Sequence, residues 1–156
     1  VIDKARTLSS KPLTHVIVSH HHFDHSGGLR VAIAEGLTVI THRLNEKFFK
    51  MLAARPFTLE PDALAKAPKE LKMELVDDSL TLKDDSLEVQ LYHLLDNPRE
   101  GTNLYAYVPR EKLLVQADLY DSTWLHHFWG ENVLKNLQDR KLAVDKDVPV
   151  HGSRES

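Results

Sequence analysis

The 156-residue chain contains no cysteine. That excludes a disulfide framework and every thiolate metal site, so any metal must be held by nitrogen and oxygen. The same lack fits cytoplasm and periplasm equally, and the compartment stays open. Charge of one sign is missing too. Twenty Lys and Arg oppose 23 Asp and Glu, a net charge of −3 with histidine neutral. Nothing in that balance attracts nucleic acid or an anionic membrane surface, and neither is expected as a partner. No apolar run approaches the roughly 20 residues that a bilayer-spanning helix needs. An initiating methionine is also lacking. The chain starts at Val1 with nothing like a secretory signal behind it, so a processed protein or a piece of a longer one is expected.

What is present is ordinary in bulk and unusual in one respect. A composition of 42% hydrophobic and 28% charged residues suits a globular protein, and the length suits a single domain over residues 1–156. Ten histidines are many for this length, and they do not cluster at one end as a tag would. Four of them, with one aspartate, fall within six consecutive positions: His20, His21, His22, Asp24 and His25.

The order of elements is legible around that cluster. Residues 3–10 are polar and helix-compatible, and Thr14–Ser19 is a β-branched run that reads as a buried strand. Ser26-Gly27-Gly28 opens a helix over Leu29–Glu35, with Gly36 as its C-terminal cap. Leu37–Thr41 is a second strand. A helix from Arg43 to Ala54 is expected to turn Leu44, Phe48, Met51 and Leu52 inward and to stop at Pro56. Strand, helix, strand, helix with short links implies a parallel first pair. Three prolines make residues 55–70 a loop or lid with one short helical turn. Beyond it, Leu71–Val76, Ser79–Lys83 and Leu87–Leu94 read as antiparallel strands, with Asp77-Asp78 and Asp84-Asp85 as solvated turns. Leu104–Val108 and Lys112–Gln116 form a hairpin, Trp124–Leu142 an amphipathic helix, and Val148-Pro149-Val150 a last strand. The fold class is mixed α/β (α+β).

Imidazole nitrogen and carboxylate oxygen are the ligands that zinc and similar ions prefer. In His-x-His-x-Asp-His, His20 and His22 are two apart on a looping chain and can face one ion. Asp24 and His25 are then offset toward a second. The bland alternative is a solvated polar loop.

On this motif after a buried strand, the chain resembles the metallo-β-lactamase superfamily. The resemblance extends from about Thr14 onward. Leu113-Leu114-Val115-Gln116-Ala117-Asp118 is similar to the strand that delivers a metal-bridging aspartate, which gives that role to Asp118. Val148-Pro149-Val150-His151-Gly152 is similar to the last ligand segment and gives His151 the final nitrogen. An acid near a helix start and a tail histidine are their plain alternatives. The resemblance implies an αββα sandwich and a metal-dependent hydrolase. Zinc would be the cofactor, as one or two ions, with iron or manganese as alternatives. Its activated hydroxide would attack a small ester, thioester or lactam, while Asp24 ligates metal and orients the nucleophile. A non-catalytic metal-binding or oligomerising domain and a single-iron oxidoreductase on the same scaffold are the rival readings.

Two departures qualify the resemblance. The position expected for the remaining histidine ligand is held by Arg99, whose guanidinium has no lone pair to give a metal. His93 can replace it only if the following loop bends back, and it otherwise reads as a strand residue. The β-rich front half of the family sandwich is also largely missing, since 19 residues precede His20. Exposed sheet edges then lead us to expect a homo-oligomer or association with a missing N-terminal part. His15, His21, His42, His126 and His127 are not expected to bind metal, and Tyr120 is a candidate for the site mouth.

Overall fold

The apolar run ahead of the histidines becomes strand β1 (His15–Ile17) of the computed structural model, which describes residues 1–120 and 129–151. The chain divides into two compact units, Val1–Leu75 and Val76–Ser156.

In the first unit, α1 (Ile2–Leu8) leads to β1. The histidine loop and the one-turn helix α2 (Phe23–Ser26) follow, then α3 (Leu29–Ala34) and β2 (Thr38–His42). β1 and β2 are parallel as expected, in the register His15↔Thr38, Val16↔Val39 and Ile17↔Ile40. Gly36, at φ 80°, lets Leu37 N–H reach back to donate to Ala32 O at 3.0 Å and close the helix. Val18, Leu29, Ile33, Val39, Phe49 and Leu64 form the core, so β1 and α3 fix both ends of the histidine loop against one apolar body.

The next helix packs Phe48 and Leu52 against the core as expected, and departs from expectation at Leu44 and Met51. It is a 3-10 turn (Arg43–Asn45) followed by α4 (Glu46–Ala54). Phe49 is fully buried, whereas Leu44 and Met51 are mostly exposed. The inward stripe begins with a polar residue: Asn45 is buried and donates to Thr41 Oγ1 at 3.0 Å. Asn45, Phe49, Leu52 and Ala53 recur at helical spacing, and a pattern search restricted to apolar residues misses that start. The expected short turn in the 55–70 loop is α5 (Ala63–Lys66). β3 (Lys72–Val76) is also corrected, because it lies in the first sheet, of order β1-β2-β3, and not with the hairpins after it.

The second unit is a five-stranded sheet of order β4-β5-β6-β7-β8. β4 (Ser79–Lys83), β5 (Glu88–His93), β6 (Leu104–Val108) and β7 (Leu113–Gln116) pair antiparallel in sequence order. β8 (Lys146–Pro149) joins β7 in parallel. Helix α6 is described from Gly130 to Asp139; Trp124, His126, His127 and Phe128 lie outside the described residues. Leu94, Tyr105, Leu114, Leu119 and Val133 make this unit's core. Asp84 forms the expected turn, accepting from Ser86 and Leu87 N–H. Asp78 is exposed as expected of a solvated turn, and it also accepts from Arg140 Nη2 at 2.6 Å. Among the described residues, no helix is long and apolar enough to cross a membrane.

Candidate metal centre

In the first unit, the loop after β1 folds the four clustered ligand candidates onto one another. His20 is fully buried, and its Nε2 stands 3.0 Å from His22 Nδ1. Two nitrogens bound at 2.0–2.1 Å to one tetrahedral ion stand roughly 3.3 Å apart, so the pair is spaced for a shared cation. Ser19 Oγ meets His20 Nδ1 at 3.1 Å and orients the ring from behind. The His25 ring packs on His20 with centroids 4.2 Å apart, and His25 Nε2 is 3.3 Å from Asp24 Oδ2. The His21 ring stands edge-on to both His22 and Phe48, with centroids at 5.0 and 5.5 Å.

Backbone geometry explains why these side chains converge. Asp24 and His25 ride on α2, a single turn that Ser26 pins by donating from Oγ to His21 O at 2.9 Å. Gly27 closes that turn. A Cβ there would fall 2.7 Å from Phe23 O, against backbone that cannot yield, whereas one at Gly28 would meet nothing within 4 Å.

In the second unit, Asp118 sits just past β7 in the left-handed region at φ 63°. Gln116 wraps this turn: its Oε1 accepts from Leu119 N–H at 2.9 Å, and its Nε2 donates to Tyr120 O at 2.6 Å. Buried Asn103 donates to Ala117 O at 3.2 Å. His151 follows β8, placed there by Val150 N–H donating to Gln116 O, and its Nε2 lies 3.6 Å from Asp118 Oδ1. Arg99 reaches the other carboxylate oxygen, with Nη1 2.5 Å from Asp118 Oδ2. His93 does not bend toward such a role. Its Nε2 is 2.9 Å from Gly101 O, and facing a carbonyl it must donate there.

The sequence of residues 3–119 matches the family described as the metallo-beta-lactamase superfamily. This chain belongs to that superfamily. Among solved structures it is similar to a metallo-beta-lactamase from Pontibacter korlensis, at 18% identity and TM-score 0.69, covering 97% of this chain and 67% of that one. It is also similar to the rubredoxin oxygen:oxidoreductase of Desulfovibrio gigas, at 15% identity and TM-score 0.63, over 94% of this chain and 40% of that one. The flavodiiron core of a protein from Synechocystis resembles it at 16% identity and TM-score 0.62, over 95% and 41%. No curated protein matches it in sequence. At these identities the solved structures establish the shared metallo-β-lactamase fold, of which this chain spans part.

The superfamily binds divalent metals, and the donors here suit one: neutral imidazole and carboxylate, with no thiolate. Sequence reasoning found those donors because few residue types ligate metal. It missed the buried amides, Asn103 and Gln116 around the Asp118 turn and Asn97 beneath Arg99, which carry no signature on the chain. It placed Arg99 at the ligand position but gave no sign of its ion pair with Asp118.

Proposed function

We propose that this superfamily member is a metal-dependent hydrolase acting on a small ester, thioester or lactam. His20, His22, Asp24, His25, Asp118 and His151 are its proposed metal ligands, and zinc is the proposed ion. The 3.0 Å approach of His20 Nε2 to His22 Nδ1, from a buried ring held by Ser19, is the observation that carries the reading. A bound divalent ion would supply Lewis acidity, bringing the pKa of water from about 15.7 toward 7 and offsetting charge in the transition state.

The chain's residues do the remaining work. Asp24, with its side chain 38% exposed, can accept a hydrogen bond from water and orient it for attack while His25 holds the neighbouring position. The near-balanced charge of the chain favours small, weakly charged substrates over polyanions. Plasma-emission metal counting together with an esterase, thioesterase and lactamase screen tests the proposal. At least one metal per chain and turnover that a chelator abolishes are expected. Fewer than one metal and no chelator-sensitive turnover would defeat it. Bound metal without turnover would favour the non-catalytic domain instead.

The likeness to one protein named an oxygen:oxidoreductase and to another described as a flavodiiron core supports a second reading, iron-dependent oxygen chemistry on the same scaffold. Stoichiometric iron with oxygen uptake would select it over hydrolysis.

A further inference from the structure

We infer that the Arg99 guanidinium takes the place of one metal ion beside Asp118, so that this carboxylate serves one divalent ion, on its His151 side, instead of bridging two. The inference rests on the metal-binding reading above. By resemblance, Arg99 stands where a histidine ligand belongs, yet it has no lone pair to contribute. It donates instead, from Nη1 to Asp118 Oδ2 at 2.5 Å. The other oxygen, Oδ1, faces His151 Nε2 at 3.6 Å. The two oxygens that a bridging carboxylate offers to two cations are thus divided between a guanidinium and an imidazole. Oxygen and nitrogen ligands with bonds of 2.0–2.2 Å to one tetrahedral ion lie roughly 3.4 Å apart, which suits Oδ1 and Nε2.

This ion pair is built, not a chance meeting of surface side chains. Asn97 Oδ1 accepts from the N–H groups of Arg99 at 2.8 Å and Glu100 at 3.2 Å. Upstream, Asn136 clamps Leu95 from both sides, accepting from its N–H at 2.9 Å and donating to its carbonyl at 3.0 Å. On the opposite side, Gln116 and Asn103 fix the backbone on either flank of Asp118. All four amide side chains belong to buried residues. With both partners held, the carboxylate is neutralised by a fixed positive charge, and like-charge repulsion disfavours a divalent ion on the same oxygen.

Equilibrium dialysis against excess zinc, followed by metal analysis, tests this on wild type, Arg99→His and His151→Ala, each confirmed folded by circular dichroism. We expect Arg99→His to hold one zinc per chain more than wild type, and a loss of at least 10-fold in zinc affinity in His151→Ala. An unchanged zinc count in Arg99→His would overturn the inference. Full retention of zinc affinity in His151→Ala would overturn the placement. Should Arg99→His not fold, cobalt-loaded wild type still decides: an isolated cobalt signal in electron paramagnetic resonance supports the inference, and a coupled pair overturns it. No metal in any folded variant removes the metal-binding reading itself, and this inference with it.

Discussion

Asp118 occupies a left-handed backbone position at φ 63°, where non-glycine residues carry strain of about 1 kcal/mol or more and aspartate and asparagine carry the least. That makes Asp118→Asn a clean substitution: it keeps the turn and removes the charge. Arg99 is 30% exposed and Asp118 11%, so the loss lies near the surface-pair range. We expect a cost of about 1 kcal/mol by thermal melting and a clear drop in bound zinc. Full zinc retention would contradict the role given to Asp118. The cluster from His20 to His25 could be read from the chain because its donor side chains are neighbours in sequence. The Arg99–Asp118 pair could not, because its partners are 19 positions apart and a guanidinium does not ligate metal.

Helix α4 ends in a device that no local pattern reveals. Buried Arg30, from α3, donates to the carbonyls of Leu52, Ala53 and Arg55 at 3.2, 2.7 and 3.0 Å. These include acceptors that a helix C-terminus leaves unsatisfied. The same guanidinium grips Asp62 at 2.6 and 3.0 Å and lies 4.3 Å from the Phe57 ring centroid. One side chain therefore ties α3 to α4 and to the proline-rich loop that follows. Arg30→Met should lower stability in urea unfolding, because it removes the donor from three carbonyls and from Asp62 at once. Hydrogen bonding from Arg30 holds the Asp62 carboxyl down at about 2. Since the folded pKa is the lower one, this contribution is present above the ordinary carboxylate value and fades as pH falls from about 4 to about 2. Arg30→Met should flatten that part of the acid-stability profile; an unchanged profile would show that the pair is not its source.

For the molecule as a whole, a ligand bound only by the folded chain adds about 2.7 kcal/mol at 100 times its Kd. At roughly 2–4 °C per kcal/mol for a chain of this size, saturating zinc should raise Tm by about 5–10 °C over chelator-treated protein. Scanning calorimetry with and without zinc measures this, and coincident melts would count against folded-state metal binding. The α/β class and the parallel β1–β2 pair were readable from period and punctuation. The sheet that β3 joins was not, because Lys72–Val76 has the same strand pattern whichever neighbour it takes. The pairing order within the five-stranded sheet has a consequence for folding kinetics. β4 to β7 are a meander in which each strand meets its sequence neighbour, whereas β8 reaches β7 only after α6 has intervened. Short-range ladders close faster than long-range ones, so β8 is expected to dock last. His151 would then arrive with it at an Asp118 whose charge Arg99 can already balance.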